Sequence, residues 1–203
     1  AMLARIAREK AKKAKETVRK QDAKKRVVMP DVLADASSKE RHKCEVFLVE
    51  GKSAAGSTKE ARDRNTQAVF ALRGKILNVL KTDLHKALQN KEISGMIDAF
   101  GLEVKDGKVI LDEAKLRYGK IILMADADVD GSHIKTLLLT FFFRHMRPLI
   151  EAGHVFAATP PLYKVYRGKQ QRYAFSDEER DAYIEELGGN AQAERYKGLG
   201  EMD

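Results

Sequence analysis

Three aspartates alternate with small or apolar residues in Asp126-Ala127-Asp128-Val129-Asp130-Gly131. Carboxylates packed this closely repel one another unless a cation balances them, and their hard oxygens suit Mg²⁺ or Ca²⁺. The apolar run from Lys120 to Met124 precedes them and reads as a buried strand. The loop after the carboxyl end of such a strand is where α/β sheets place ligands. The same D-x-D-x-D-G lettering opens an EF-hand calcium loop. That loop needs a bidentate Glu at its twelfth position, which is Leu137 here, and a helix where this chain has a strand. An EF-hand is therefore excluded, and the plain alternative is a solvated acidic turn.

Glu50 is the second candidate. It follows another apolar run, Glu45-Val46-Phe47-Leu48-Val49, and precedes Gly51-Lys52-Ser53. The G-K-S string looks like the end of a phosphate-binding Walker A loop. Such a loop needs a Gly five residues before Gly51, and that residue is Val46, so it is excluded. A lone Glu at a strand end is ordinarily just polar. Glu50 matters if its strand is the parallel neighbour of the strand before Asp126. Glu50, Asp126, Asp128 and Asp130 would then surround one or two metals.

The elements that must position these groups alternate. After the strand ending near Glu50, Ser53 to Asn65 reads as a helix and Val69 to Leu72 as a short strand. Residues 82–100 suggest two short helices broken near Asn90, and Asp106-Gly107 is a turn signal. His133 to Arg147 is an apolar helix. His154 to Ala158 and Leu162 to Tyr166 read as strands separated by Pro160-Pro161, and Asp177 to Leu187 as a helix stopped by Gly188-Gly189. Strands alternating with helices predict an α/β fold with a largely parallel sheet.

The chain has 203 residues, 43% of them hydrophobic, enough for one ordinary domain plus an appendage. No stretch approaches ~20 apolar residues, so no membrane span is expected, and the first residues lack a signal-peptide pattern. Cys44 is the single cysteine, which excludes an internal disulfide and fits a reducing, cytoplasmic setting. The net charge of +8 is confined to the start. Residues 1–26 hold eleven Lys and Arg against three acids, and the remaining 177 residues balance at 27 of each sign. The basic pI therefore marks an N-terminal segment and does not by itself show that the main domain is a DNA-binding surface. That segment is Ala-, Lys- and Glu-rich with a thin apolar side, and predicts a connector helix ended by Pro30. It is either a solvated face or a nucleic-acid contact.

A strand ending in Glu-Gly, followed later by one ending in D-x-D-x-D-G, resembles the TOPRIM domain. Longer strings carry the likeness further: "LADASSK", "FLVEGKSAAGS", "ARDRNTQAV", "LRGKILNV", "DADVDGSHIKTLLLTFFFRHMRPLIEAGHV", "PPLYKV" and "RYKGLGEM". From about Leu33 to Met202 these resemble, in order, the B subunits of bacterial type IIA topoisomerases, DNA gyrase and topoisomerase IV. The resemblance implies a Rossmann-like sheet flanked by helices. It implies a basic connector helix at 1–29 that looks like the end of a transducer region, a linker at 30–43, a TOPRIM domain at 44–160 and a truncated extension at 161–203.

It also implies roles. Glu50, Asp126 and Asp128 look like a first metal site, and Asp128 and Asp130 like a second. Glu50, Asp126 and Asp128 would be catalytic, with Glu50 the general acid/base of strand rejoining. The metal would be Mg²⁺, with Mn²⁺ or Ca²⁺ able to substitute. Lys52, Arg73, Lys75, His133 and Lys197 are the expected DNA contacts; without the resemblance, Arg73 and Lys75 are surface charges and His133 a helix-start residue. The family partners are DNA and an A subunit that supplies the attacking tyrosine, in a heterotetramer at the nucleoid. ATP would be bound only by an N-terminal region outside this chain, and the chain alone is expected to be inactive. Two positions depart from the family string: Lys52 stands where Asp is usual and Ala55 where Gly is usual. Two other readings stay open, another TOPRIM nuclease or primase, and a DNA-binding or assembly module without metal chemistry.

Overall fold

Alternating apolar runs produce the expected sheet. The structure, a computed structural model, describes residues 32–201. The basic segment at 1–29 lies outside the described residues. Five strands form the main sheet: β1 (Leu33–Ala34), β2 (Glu45–Glu50), β3 (Gln67–Leu72), β6 (Lys120–Met124) and β7 (Val155–Ala157), in the order β1-β3-β2-β6-β7. β2 runs parallel to both β3 and β6, and β6 parallel to β7, while β1 is antiparallel on the edge. The β2–β6 register pairs Val49 with Met124, so both strands end side by side. That adjacency is what a four-carboxylate site requires.

Burial on both faces explains the near-continuous apolar lettering of β2 and β3. One face of the sheet holds Val46, Leu48, Phe70, Ile121 and Leu123 in the main core. Helix α4 (Val129–His145) covers it, burying Ile134, Leu137, Leu138, Phe141 and Phe142. Their spacing of three and four residues is one face of an α-helix. Phe142 stacks on Phe100, at the end of α3 (Lys91–Phe100), with ring centroids 6.1 Å apart. The second, smaller core joins Val49, Val69 and Ala71 to Ala54 and Ala55 of α1 (Gly51–Ala61) and to Leu199. Among the described residues no helix is long and apolar enough to cross a membrane.

Several expectations shift. α1 begins at Gly51, two residues before the reading at Ser53, and stops at Ala61 rather than Asn65. α4 begins at Val129, not His133, because the Asp128 side chain accepts the Gly131 N–H at 2.7 Å and caps the helix. It ends at His145, and α5 (Arg147–Glu151) follows. The expected linker at 30–43 includes β1, whose neighbour Asp35 accepts the Tyr118 hydroxyl at 2.7 Å and also pairs with Arg117. The break at Asn90 holds: its side chain caps α3, and α2 (Leu84–Ala87) precedes it. Asp106 and Gly107, both at positive φ, turn a hairpin between β4 (Glu103–Lys105) and β5 (Lys108–Ile110). Beyond Pro161, β8 (Tyr163–Arg167), β9 (Gln170–Ala174) and β10 (Gln192–Arg195) form a separate antiparallel sheet with β8 in the middle, packed on α6 (Asp177–Glu186). β8 was legible as a strand. β9 and β10 are mostly exposed and carry no apolar alternation.

Candidate metal and DNA site

Glu50 closes β2, and its carboxylate does not cap the helix that follows. Its Oε2 is buried and has no hydrogen-bond partner among the described residues. Burial first, then the negative charges of Asp126, Asp128 and Asp130, push its carboxyl above the usual range, while Lys75 pulls it down. A buried, unpartnered carboxylate oxygen facing three further acids is a costly arrangement that a cation relieves. The donor set therefore fits a hard divalent ion. The three aspartates arrive on the other strand: Asp126 two residues past β6, Asp128 as the cap of α4, and Asp130 in its first turn. Gly131 permits this tight entry, because a Cβ there would collide with the Asp126 backbone.

The four carboxylates share one electrostatic site without converging on one point. Among the described residues no three His, Cys, Asp or Glu donors stand close enough to hold an ion as placed. Each aspartate has one oxygen engaged elsewhere. Asp126 Oδ1 accepts the Leu199 N–H at 2.8 Å, Asp128 Oδ1 accepts from Gly131, and Asp130 Oδ1 meets Lys75 Nζ at 2.7 Å. For Asp130 to join a cation through the oxygen that meets Lys75, that ion pair would have to open.

The expected DNA contacts fall into two groups. Lys75 and His133 lie at the acidic loop: the Lys75 hydrogen bond and charge, and more weakly His133, hold Asp130 ionised below its usual range. Lys52 and Arg73 instead line a groove of about 710 Å³ alongside α1, with Lys59, Gly51 and Gly74. Lys197 is exposed, on the segment that brings Leu199 to Asp126. Sequence reading missed the Leu199 N–H as a partner of Asp126; a backbone donor leaves no mark in residue type.

The family model described as the Toprim domain matches residues 45–160, more than half of the chain and both carboxylate-bearing strands. The chain belongs to the Toprim family. This Toprim chain is, over its full length, 52% identical to the DNA gyrase B subunit of Thermotoga maritima. It is 53% identical to that of Thermus thermophilus and 54% to that of Staphylococcus aureus. The chain spans about a third of those relatives, 31% to 32% of their length. The Toprim match accounts for the parallel sheet with helices on both faces.

Proposed function

We propose that this Toprim chain is the metal-binding part of a DNA cleavage and resealing centre in an ATP-dependent type II topoisomerase. The observation that carries the reading is the parallel pairing of β2 with β6, which sets the partnerless Glu50 Oε2 beside the Asp126–Asp130 loop. Full-length likeness to DNA gyrase B subunits supports it. Glu50, Asp126 and Asp128 would hold one Mg²⁺, and Asp128 with Asp130 a second; Mn²⁺ or Ca²⁺ could replace it. When bound, the metal stabilises charge on the scissile phosphate and the leaving oxygen. ATP use belongs, on this reading, to other parts of the B subunit.

The chemistry is reversible transesterification. A tyrosine of an A subunit gives up its phenolic proton to solvent and forms the new bond to phosphorus while the bond to the deoxyribose oxygen breaks, and resealing reverses this. Glu50 is suited to the proton transfer. On this reading Glu50 gives a proton to the leaving sugar oxygen on cleavage and takes it back on resealing. Lys75, His133 and Lys197 border the carboxylates and hold phosphates around the reacting one; Lys52 and Arg73 hold the backbone along the adjoining groove. Lys serves there as a mobile point charge.

Mixing the chain with a cognate A subunit and supercoiled DNA tests the proposal. Mg²⁺-dependent breaks with protein bound covalently to DNA ends are expected, and Glu50→Gln should abolish them. Cleavage by the chain alone would overturn the proposal in favour of a self-sufficient Toprim nuclease. The reading without metal chemistry draws on Lys75, which already neutralises Asp130. Absence of any Mn²⁺ binding heat would favour it.

A further inference from the structure

Leu199 stands 73 residues from Asp126 in sequence, yet its N–H donates to Asp126 Oδ1 over 2.8 Å. The segment carrying it is closed on itself. The Lys197 N–H donates to Glu201 Oε2 at 3.0 Å, and the Glu201 N–H to the Gly198 carbonyl at 3.1 Å. The Leu199 side chain is buried in the small core with Val49, which precedes Glu50, and with Ala54 and Ala55 of α1. Gly198 lies against the Asp126 carboxylate: a Cβ there would stand 2.8 Å from Oδ2 and 3.3 Å from Cγ. Gly200 lies against α1, where a Cβ would stand 2.9 Å from Ser53 Oγ. One five-residue segment thus meets both the Asp126 carboxylate and the helix that follows Glu50.

We propose that residues 197–201 are a positioning clamp that sets the Asp126 carboxylate against Glu50 for a divalent cation. The inference rests on the metal reading above. An aspartate two residues past a strand end has two free side-chain torsions. A backbone N–H on Oδ1 fixes them before the ion arrives, so the ordering cost is not left to binding. The buried Leu199 side chain gives that N–H a fixed origin, since it is packed in the core beside β2 and α1 rather than carried on a free loop. A Cβ at position 198 would crowd the carboxylate and turn it aside, and glycine leaves it room. Neither Gly198 nor Gly200 has positive φ, so alanine at either position carries no backbone penalty and acts through the contact alone.

The 203-residue chain tests this with Gly198→Ala, Gly200→Ala and Asp126→Ala. Three quantities are read: Mn²⁺ affinity by calorimetry, metal-free melting temperature, and hydrogen exchange of the Leu199 amide by NMR. Gly198→Ala should bind Mn²⁺ about tenfold more weakly or worse, the usual effect of losing an orienting partner, at unchanged metal-free melting. Gly200→Ala displaces only the tip of Ser53 and should bind Mn²⁺ like the unsubstituted chain. Asp126→Ala should speed Leu199 amide exchange. Unchanged affinity in Gly198→Ala, or unchanged Leu199 exchange in Asp126→Ala, overturns the clamp. So does a loss of affinity in Gly198→Ala that appears only with a lowered melting temperature, or an equal loss in Gly200→Ala, since either marks a merely structural latch. If the unsubstituted chain gives no Mn²⁺ heat, the metal reading itself fails and the clamp falls with it.

Discussion

Lys75 Nζ lies 2.7 Å from Asp130 Oδ1, so a lysine from the loop after β3 already neutralises one member of the acidic motif. Both side chains are more than half exposed, at 51% and 68%. An ion pair in that setting contributes little to folding and is readily exchanged. Its consequence is for binding: the same flexible lysine can stay on Asp130 or turn toward a phosphate.

Lys75→Met should therefore leave the melting temperature unchanged while raising Mn²⁺ affinity in the absence of DNA. DNA affinity should fall, and the dependence of log affinity on log salt should become shallower by about one contact. Calorimetry and a salt titration of DNA binding measure both. A variant that loses DNA affinity without gaining any for Mn²⁺ would show that Lys75 does not compete with the ion.

Asp128 has two duties that substitution can separate. It is a proposed ligand of both metals, and its Oδ1 caps α4 through the Gly131 N–H. Asp128→Ala removes cap and charge together, and should cost roughly 1 kcal/mol of stability from the cap as well as Mn²⁺ binding. Asp128→Asn keeps a capping oxygen, so it should melt like the unsubstituted chain and still lose most of the Mn²⁺ heat. Urea denaturation beside calorimetry checks this. Equal heats from Asp128→Asn and the unsubstituted chain would remove Asp128 from the metal site.

Lys52 occupies the exposed first turn of α1 and lines the groove with Lys59 and Arg73. A cation there suits a phosphate better than it suits a metal site. Lys52→Asp should weaken DNA binding and reduce the salt slope by about one contact, with Mn²⁺ affinity unchanged. Tighter Mn²⁺ binding by the variant would mean instead that Lys52 opposes the ion by like-charge repulsion.

His145 gives a pH test of the fold away from the site. Burial, and then the charge of Arg144, hold its imidazole below the usual 6.5, and its Nε2 is buried without a partner among the described residues. The unfolded chain binds the proton more readily, so this contribution to stability is present above pH 6.5 and is lost as pH falls toward the folded value. His145→Leu should flatten the decline of melting temperature below pH 6.5. Parallel pH profiles for both chains would show that another group governs the acid limb.

By itself, the sequence singled out the candidate site residues and most of the elements that hold them. The runs Glu45 to Val49 and Lys120 to Met124, and the apolar helix through Phe142, are legible because burial on a sheet or one helix face imposes a local period. The absent Glu at Leu137 and absent Gly at Val46 removed two rival sites by counting alone. Tertiary structure decided what those residues touch. The β2–β6 pairing, the Lys75–Asp130 ion pair and the Leu199 bond to Asp126 join positions 75, 55 and 73 residues apart. No local pattern encodes such contacts, because they arise from which buried faces meet. The polar strands β9 and β10 were invisible for the complementary reason: they are held by backbone pairing to β8, and their exposed side chains carry no trace of it.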